Sequence, residues 1–206
     1  MLFGIFIYDG VEPIDLATFG VLSMARRVAP QIRICTIAPK AGLVHLSNGL
    51  DVVAQFGIDD APACDVVIVT GGPGWGAQSR SGVTLDYIRR LHASGKVASV
   101  CTGAMILAAS GILDNKVATT KRAVVPPEIS PLKQMRDLYP AIEVREAALV
   151  DTGAVVTGGG VSLCIDTTLH ILETMLGGAV ASETARIIEY QRARSANMNS
   201  EAFLAG

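Results

Sequence analysis

Cys101 is the residue of this chain whose setting most clearly suggests covalent chemistry. It stands in VASVCTGAMILAASG (residues 97–111), after a β-branched apolar run and before a helical pattern of small residues. In an open parallel sheet, ligands bind outside the carboxyl ends of the strands, where such a corner lies. A helix that begins near Thr102 aims free N–H groups and its positive dipole end at the sulfur, which favours thiolate. We therefore predict a nucleophile at Cys101, against the alternative of a buried, inert thiol.

Backbone N–H groups near this cysteine are the predicted stabilisers of negative charge on a bound substrate. Those of Thr102 and Gly103 begin the helix, and the glycine turn GGPGWG (residues 71–76) ends another apolar run. Because Pro73 has no N–H group, Gly72 is the favoured donor of that turn.

Asp15 is the predicted acid. The stretch EPIDLA puts its carboxylate among apolar residues just after the first apolar run, and the end of that strand also faces the ligand crevice. The alternative is a charge that only complements a helix N-terminus.

The three histidines, His45, His92 and His170, are less suitably placed than Asp15 to exchange a proton with Cys101. His170 follows Asp166 by four residues, as in an ordinary surface pair on a helix.

Asp15 and Cys101 are predicted to share one proton, because two anions a few ångströms apart repel each other. With the helix end favouring thiolate, the carboxylic acid holds that proton and gives it to the substrate. We therefore expect a raised pKa for Asp15, which stands between Ile14 and Leu16, and a lowered pKa for Cys101.

The charge balance excludes several classes of partner. With 17 Lys plus Arg against 19 Asp plus Glu, the net charge is −2, which offers no positive field for nucleic acid or an anionic membrane. A small neutral molecule is the expected partner. The apolar stretches are too short to span a bilayer, and the N-terminus lacks the features of a secretory signal, which favours the cytoplasm.

Cysteine spacing and motif content favour chemistry without a cofactor. The four cysteines form no C-x-x-C pair, so reduced thiols are expected. Cys35 and Cys64 are assigned structural roles, whereas the role of Cys164 stays open. No metal-ligand spacing, nucleotide fingerprint or serine-nucleophile motif occurs in the sequence.

Apolar runs alternate with helical patterns along the chain. The predicted strands are LFGIFIY, IRICTIA, CDVVIVTGG, KVASVC and KVATT, and the predicted helices are PIDLATFGVLSMARRV, VTLDYIRRLHASG, the segment after Cys101, LKQMRDLY, SLCIDTTLHILETML and ASETARIIEYQRA. Hairpins are expected at Asn48 and Gly49, and at residues 151–153 within EVREAALVDTGAVVTGGG. This order predicts an α/β fold with a mostly parallel sheet between helices. Residues 1–190 are expected to form one domain, and the polar tail 191–206 to be loose or to reach a partner subunit.

Four motifs together resemble those of a known family. They are IDLATFG, DVVIVTGGPGWGA, VASVCTGAMILAASGILDNKVATT and VVTGGGVSLCIDTTLHI. The set resembles the ThiJ/PfpI family of the class I glutamine amidotransferase-like superfamily, up to about Tyr190. The resemblance implies a flavodoxin-like three-layer sandwich, with helices on both faces of the sheet, a nucleophile elbow at Cys101 and a homodimer. A mean hydropathy of +0.43 also favours apolar surface covered by a second copy, with the first helix as the expected contact.

Two departures from the family pattern bear on the chemistry. Aspartate at position 15, where members often have glutamate, is similar to the isocyanide hydratase branch and to the sensing halves of AraC-type regulators. Lys121 stands where many members have a histidine, which argues against a Cys–His mechanism. Lys121 either borders the pocket, where a cation favours thiolate, or points to solvent. Trp75, Gly158, Gly159 and Gly160 are expected to line the pocket.

The resemblance implies an isocyanide hydratase-like lyase. In that reading the Cys101 thiolate adds to the isocyanide carbon to give a thioimidate, and Asp15 supplies the proton. One alternative is a non-catalytic sensor of small molecules or oxidative stress, similar to the regulator module without its DNA-binding half. The other is glyoxalase or deglycase activity on α-oxoaldehydes, against which the missing histidine and the aspartate both count.

Overall fold

An eight-stranded sheet forms the centre of the protein in the computed structural model, which describes residues 1–200 and 203–205. The strands are β1 (Leu2–Phe6), β2 (Arg33–Ala38), β3 (Gly42–His45), β4 (Asp51–Ala54), β5 (Phe56–Gly57), β6 (Val66–Val69), β7 (Lys96–Ser99), β8 (Val117–Ala118), β9 (Glu143–Val144), β10 (Leu149–Asp151), β11 (Val155–Gly158) and β12 (Phe203–Ala205). The order in the sheet is β12-β10-β11-β7-β6-β1-β2-β5, and only the β10–β11 pair is antiparallel. The predicted mostly parallel sheet is confirmed.

The helices form two groups, one on each face of the sheet. They are α1 (Ala17–Ala25), which follows a 3-10 helix at Pro13–Leu16, α2 (Trp75–Gln78), α3 (Gly82–Ser94), α4 (Gly103–Ser110), α5 (Pro131–Leu138), α6 (Cys164–Leu176), α7 (Gly178–Ile187) and α8 (Gln191–Ser200). Helices α1, α6, α7 and α8 pack in one group, and α2 to α5 in the other. The three-layer α/β sandwich expected from the sequence is therefore present. No helix of the described residues is long and apolar enough to cross a bilayer.

The central strands are apolar on both faces because helices cover both. All four residues of β6, VVIV, are buried, and so are all four of β11, VVTG. Continuous rather than alternating hydrophobicity is typical of a parallel strand between two helical layers. The carboxyl ends of β1, β6 and β7 therefore meet at one edge of a closely packed core, and the turns that follow them define the candidate site.

Both predicted hairpins are confirmed. Strands β3 and β4 pair antiparallel around Asn48 and Gly49, whose φ angles are +61° and +86°. The second hairpin joins β10 to β11, and Gly153 at its turn has a φ of +83° and donates its N–H to Asp151 Oδ1 at 2.7 Å. Left-handed backbone at such positions is what glycine and asparagine tolerate.

The predicted strand KVATT is shorter in the structure than expected. Only Val117–Ala118 is a strand, and it pairs with β9 outside the main sheet.

The described part of the tail, residues 191–200 and 203–205, is ordered, so the expectation of a loose segment is wrong there. Residues 191–200 form α8, where Asn197 Nδ2 donates to Asp166 Oδ2 at 2.8 Å and Arg194 Nη2 to Glu173 Oε2 at 2.7 Å. Beyond it, β12 adds in parallel to β10. Polar side-chain contacts to α6 position this segment, so the lack of an apolar stripe in its sequence was misleading.

Gly103, the first residue of α4, allows the helix to start against β6. A Cβ built at Gly103 lies 2.2 Å from the Val69 carbonyl oxygen, whereas one at Gly82, the first residue of α3, meets no described heavy atom within 4 Å beyond its chain neighbours. We expect Gly103→Ala to lower the free energy of unfolding by more than about 2 kcal/mol, because backbone must move. Gly82→Ala, the matched control, should change it by less than about 0.5 kcal/mol. Urea denaturation measures both, and equal stabilities would contradict the close approach.

Candidate active site

Cys101 occupies a strained corner between β7 and α4. Its φ is +53°, a left-handed conformation that non-glycine residues rarely adopt and that costs about 1–3 kcal/mol. Two hydrogen bonds hold the corner: its N–H donates to the Gly159 carbonyl at 3.1 Å, and its carbonyl accepts from Thr120 Oγ1 at 2.8 Å. The predicted elbow is therefore present, with the strain supported by neighbouring segments.

The turn after β6 packs directly against this corner. A Cβ at Gly71 lies 2.4 Å from the Thr102 nitrogen, and one at Gly72 lies 2.2 Å from the Glu12 nitrogen. Gly72 also has a φ of +138°. Because no side chain fits at either position, the turns after β1, β6 and β7 contact one another through backbone atoms.

Asp15 is completely buried behind the corner, in the 3-10 helix that precedes α1. Its Oδ2 accepts the Gly71 N–H at 2.6 Å, and its Oδ1 has no hydrogen-bond partner among the described residues. Burial raises the pKa of Asp15 to about 7, the Gly71 N–H opposes that shift, and the negative charge of Glu12 adds to it. The predicted direction for Asp15 is confirmed, and a carboxyl with one unpaired oxygen is poised to exchange a proton.

The Cys101 thiol does not have the lowered pKa that its position at a helix start predicts. Burial raises the pKa of Cys101 to about 12, and the nearby Asp15 carboxylate adds to the shift, outweighing the Thr102 N–H and the charge of Lys121. Only 2% of the residue is exposed. Desolvation of the anion is the reason for the error, because it exceeds the effect of the helix end. Above about pH 7 the proton of the pair therefore rests on the sulfur, not on the carboxyl as predicted.

Cys101 lines a cavity of about 630 Å³. Much of the lining is apolar, contributed by Ile14, Pro73, Trp75, Val124, Ile129 and Val161. Cys101, Thr102, Gly72 and Lys121 also face the cavity, with Glu12 and Glu128 as its acidic residues. A small, largely apolar molecule fits this space.

Residues 4–174 match the DJ-1/PfpI family over most of the chain. The chain belongs to the DJ-1/PfpI family. It is 31% identical to the isonitrile hydratase of Pseudomonas putida over 193 residues, which cover 91% of this chain and 76% of that enzyme. It is 29% identical to the HTH-type transcriptional regulator GlxA of Rhizobium meliloti over 76% of this chain, but spans only 45% of the regulator. DJ-1beta of Drosophila melanogaster shares the fold, with a TM-score of 0.77 at 19% identity over 91% of this chain and 97% of that one.

The predicted backbone donors of this DJ-1/PfpI site are not equivalent. The N–H and the hydroxyl of Thr102 both act on the Cys101 sulfur and lower its pKa. The Gly72 N–H donates to Thr102 Oγ1 at 2.8 Å, and the Gly103 N–H donates to the Val100 carbonyl at 2.9 Å. The N–H groups of Gly72 and Gly103 are thus both used in hydrogen bonds and are not free oxyanion donors as predicted, which leaves Thr102 as the backbone donor at the sulfur.

Lys121 borders the cavity with its aliphatic stem rather than pointing freely to solvent. A Cβ at Gly160 lies 2.8 Å from both Cβ and Cγ of Lys121 and 3.3 Å from the Cys101 sulfur, so only glycine allows this approach. The Lys121 ammonium donates to the Ala123 carbonyl. Its charge opposes the rise in the pKa of Cys101 without overcoming it.

The other two predicted pocket glycines act behind the cavity. A Cβ at Gly158 lies 2.1 Å from Thr167 Oγ1, so this residue allows β11 to pack on α6. The Gly159 carbonyl accepts the Cys101 N–H, and the Gly159 N–H donates to the Ala148 carbonyl at 2.8 Å. These two glycines and Gly160 are all outside the described cavity lining, in contrast to Trp75, which belongs to it.

No histidine belongs to the described cavity lining. His45 bonds Asp51 at 2.8 Å, and His170 Nε2 bonds Asp151 Oδ2 at 2.7 Å. The expected surface pair of His170 with Asp166 is therefore wrong, because Asp166 is buried and accepts from Tyr190 and Asn197. Among the described residues no three acidic, cysteine or histidine side chains are grouped as a metal site.

Sequence reasoning missed two buried neighbours of the pair. Cys164, at the start of α6, is fully buried, donates to the Ile14 carbonyl at 3.5 Å and interacts electrostatically with Asp15 and Cys101. Burial and these same two groups raise the pKa of Tyr8, whose hydroxyl donates to the Thr70 carbonyl at 2.8 Å. Tyr8 follows β1, so the end of that strand was a usable signal, whereas nothing in the spacing of Cys164 indicated its place.

Asp15 should make stability depend on pH. Its folded pKa, about 7, lies above that of an unfolded aspartate, so its favourable contribution is complete below about pH 4 and is lost as pH rises through 7. Asp15→Asn removes this titration. We expect the stability of the variant relative to wild type to improve by about 3 kcal/mol between pH 4.5 and 8.5. Urea denaturation of both proteins at each pH tests this, and a constant difference would contradict the raised pKa.

Proposed function

We propose that this protein hydrates isocyanides, adding water to R–N≡C to give the N-substituted formamide R–NH–CHO. The observation that carries the proposal is the buried Asp15 carboxyl, with its unpaired Oδ1, beside the Cys101 thiol under an apolar cavity. The isonitrile hydratase of Pseudomonas putida, a relative at 31% identity, supports the choice of substrate, because isonitrile is another word for isocyanide.

The shape of the site suits this substrate. An isocyanide is neutral, and its reactive carbon is the slim end of a linear group, which can reach a thiol that is only 2% exposed. The R group then occupies the apolar part of the cavity, against Trp75, Ile129 and Val161. A soft sulfur nucleophile is well matched to the electrophilic carbon.

The first step forms a carbon–sulfur bond. Since the thiol holds the shared proton and Asp15 is ionised above about pH 7, the carboxylate takes the thiol proton as the sulfur attacks. Asp15 then gives this proton to the same carbon, and the product is the thioimidate R–N=CH–S–Cys101. The Thr102 N–H stabilises negative charge on the sulfur during the transfer.

The second step consumes water and restores the enzyme. Water adds to the thioimidate carbon, with one of its protons passing to the nitrogen, and gives R–NH–CH(OH)–S–Cys101. Asp15 takes the hydroxyl proton, the carbon–sulfur bond breaks, and the proton returns to the leaving sulfur. The products are R–NH–CHO and the Cys101 thiol, so both residues end as they began.

The second candidate is a ligand sensor without turnover. Its support is the relation to the regulator GlxA, of which this chain spans 45%. The same cavity then binds a small molecule, and the thiol responds to it or to an oxidant. Formation of product separates the two candidates, because a sensor that only binds produces no formamide.

Purified wild-type protein should convert an alkyl isocyanide to its formamide above about pH 7, where Asp15 is ionised. Cys101→Ala removes the nucleophile and should abolish turnover. Asp15→Asn removes the proton carrier and should lower kcat by about 10²- to 10⁴-fold. Product is measured by mass spectrometry, together with any mass added to Cys101. Wild-type protein that yields neither formamide nor a Cys101 adduct would sink the proposal.

Alkylation by iodoacetamide is the control for Asp15→Asn. Asp15 contributes to the raised pKa of Cys101, so its removal should leave the thiol at least as reactive as in wild type. Slow alkylation would mean that the variant disturbs the site itself. Turnover at the wild-type rate would mean that another group carries the proton.

The protein is also expected to be a homodimer that uses α1. Phe19 on this helix is 41% exposed, and Ile14 just before it is 46% exposed. Apolar side chains at such exposure favour association. Light scattering at micromolar concentration should give the dimer mass for wild type and the monomer mass for Phe19→Glu. Val83→Glu, at a 62% exposed position on α3, is the control that should stay dimeric; a monomeric wild type would remove the claim.

A further inference from the structure

Cys35 and Cys64 form a second thiol pair, away from the candidate active site. Their sulfurs are 3.8 Å apart, although 29 positions separate them in the sequence, and both are free thiols. Cys35 lies in β2, and Cys64 comes just before β6. Cys101 instead follows the carboxyl end of β7, so the two thiol sites belong to opposite ends of the sheet.

The space in which the two sulfurs meet exists because of Gly4. Strand β1 lies between β2 and β6, and Gly4 pairs with Cys35 on one side and with Val67 on the other. A Cβ at Gly4 lies 3.0 Å from the Cys64 sulfur and 2.9 Å from Ile37 Cδ1. Glycine inside a buried strand generally weakens it and often marks a close approach. Here the absence of a side chain at Gly4 allows the two cysteine side chains to meet across β1.

The contact between the thiols is chemically polarised. Either sulfur can donate the hydrogen bond between them; this bond lowers the pKa of Cys35, and together with burial it raises the pKa of Cys64. Cys35 is buried, whereas Cys64 is partly exposed and also lies 3.4 Å from the Pro62 carbonyl oxygen. A small oxidant therefore reaches Cys64 from solvent. The Cys35 sulfur, whose lowered pKa gives it more thiolate character, lies beside it.

We propose that Cys35 and Cys64 form a reversible intramolecular disulfide when the protein meets a hydroperoxide. In the first step the Cys64 thiol attacks the peroxide, the O–O bond breaks, the thiol proton passes to the departing oxygen, and Cys64 becomes a sulfenic acid with release of one water from hydrogen peroxide. In the second step the Cys35 sulfur attacks the Cys64 sulfur and expels the hydroxyl group as a second water. Two thiols and one hydrogen peroxide thus give one disulfide and two waters, with both electrons moving from sulfur to oxygen.

The disulfide ties β2 to the segment before β6 across β1. The sulfurs have to move together from 3.8 Å to a bond length of about 2.05 Å. Because β1 lies between β2 and β6, this movement draws the short segment before β6 toward β2, next to the hydrogen bond from the Leu2 N–H to Asp65 Oδ2 at 2.7 Å. The oxidised protein is cross-linked within its core and should resist heat better than the reduced protein.

Peptide mapping tests the bond directly. Trypsin cleaves after Arg33, Lys40 and Arg80, so Cys35 and Cys64 fall in the neighbouring peptides 34–40 and 41–80. After treatment with hydrogen peroxide and blocking of free thiols, we expect these peptides joined, two hydrogens lighter than their sum, and separated again by dithiothreitol. The melting temperature should rise on oxidation and fall back on reduction.

Four variants distinguish a built site from accidental oxidation. Cys35→Ser and Cys64→Ser should each abolish the joined peptide and the rise in melting temperature. Gly4→Ala keeps both thiols but fills the space between them, and should reduce the yield of the joined peptide several-fold; circular dichroism shows whether it folds. Cys164→Ser, which removes a thiol elsewhere, should leave the yield unchanged.

The proposal is overturned if peroxide leaves Cys35 and Cys64 as free thiols while oxidising Cys101, or converts Cys64 alone to a sulfinic acid. It is also overturned if mixing heavy and light isotope-labelled protein shows that the linkage joins different chains. The outcome does not depend on isocyanide turnover, so it stands or falls separately from the proposed function.

Discussion

Backbone contact between three turns is the constraint on which the site depends. The turns after β1, β6 and β7 approach so closely that a Cβ at Gly71 or Gly72 would fall about 2.2 to 2.4 Å from a backbone nitrogen of the neighbouring turn. This approach places the Gly71 N–H on Asp15 and the Gly72 N–H on the Thr102 hydroxyl. Both residues are buried beside it, with Asp15 fully inaccessible and Cys101 2% exposed. Gly71 and Gly72 are required because a side chain would collide with the neighbouring turn, as much as because glycine is conformationally free.

Exclusion of water decides the chemistry of the pair. Both Asp15 and Cys101 have raised pKa values, and burial is the largest cause for each. A helix N-terminus, which on its own favours thiolate, is the weaker influence in this setting. The site therefore stores a neutral thiol and a carboxyl that titrates near neutral pH. Such a pair moves a proton with little rearrangement, which suits addition of S–H to an unsaturated carbon.

One cavity can serve an enzyme or a sensor because both begin with the same binding event. The chain is related to an isonitrile hydratase over 76% of that enzyme's length and to a transcriptional regulator over 45% of the regulator's length. The apolar lining and the strained cysteine are compatible with either role, and only the unpaired carboxyl oxygen of Asp15 points specifically to proton transfer. The pair Cys35 and Cys64 adds a response to oxidants that neither role requires.

The sequence by itself determined the alternation of strands and helices, both hairpins, the elbow at Cys101 and the placing of Asp15 after β1. These features depend on local patterns: apolar runs, turn residues and the rule that parallel strands end at one edge. Only the tertiary structure decided where the shared proton rests, that Gly103 is committed to its own turn, and that His170 bonds Asp151. It also decided that Cys35 meets Cys64 across β1. The physical reason is that desolvation, hydrogen-bond commitment and contact across a sheet depend on which distant segments are neighbours, and no local pattern encodes that.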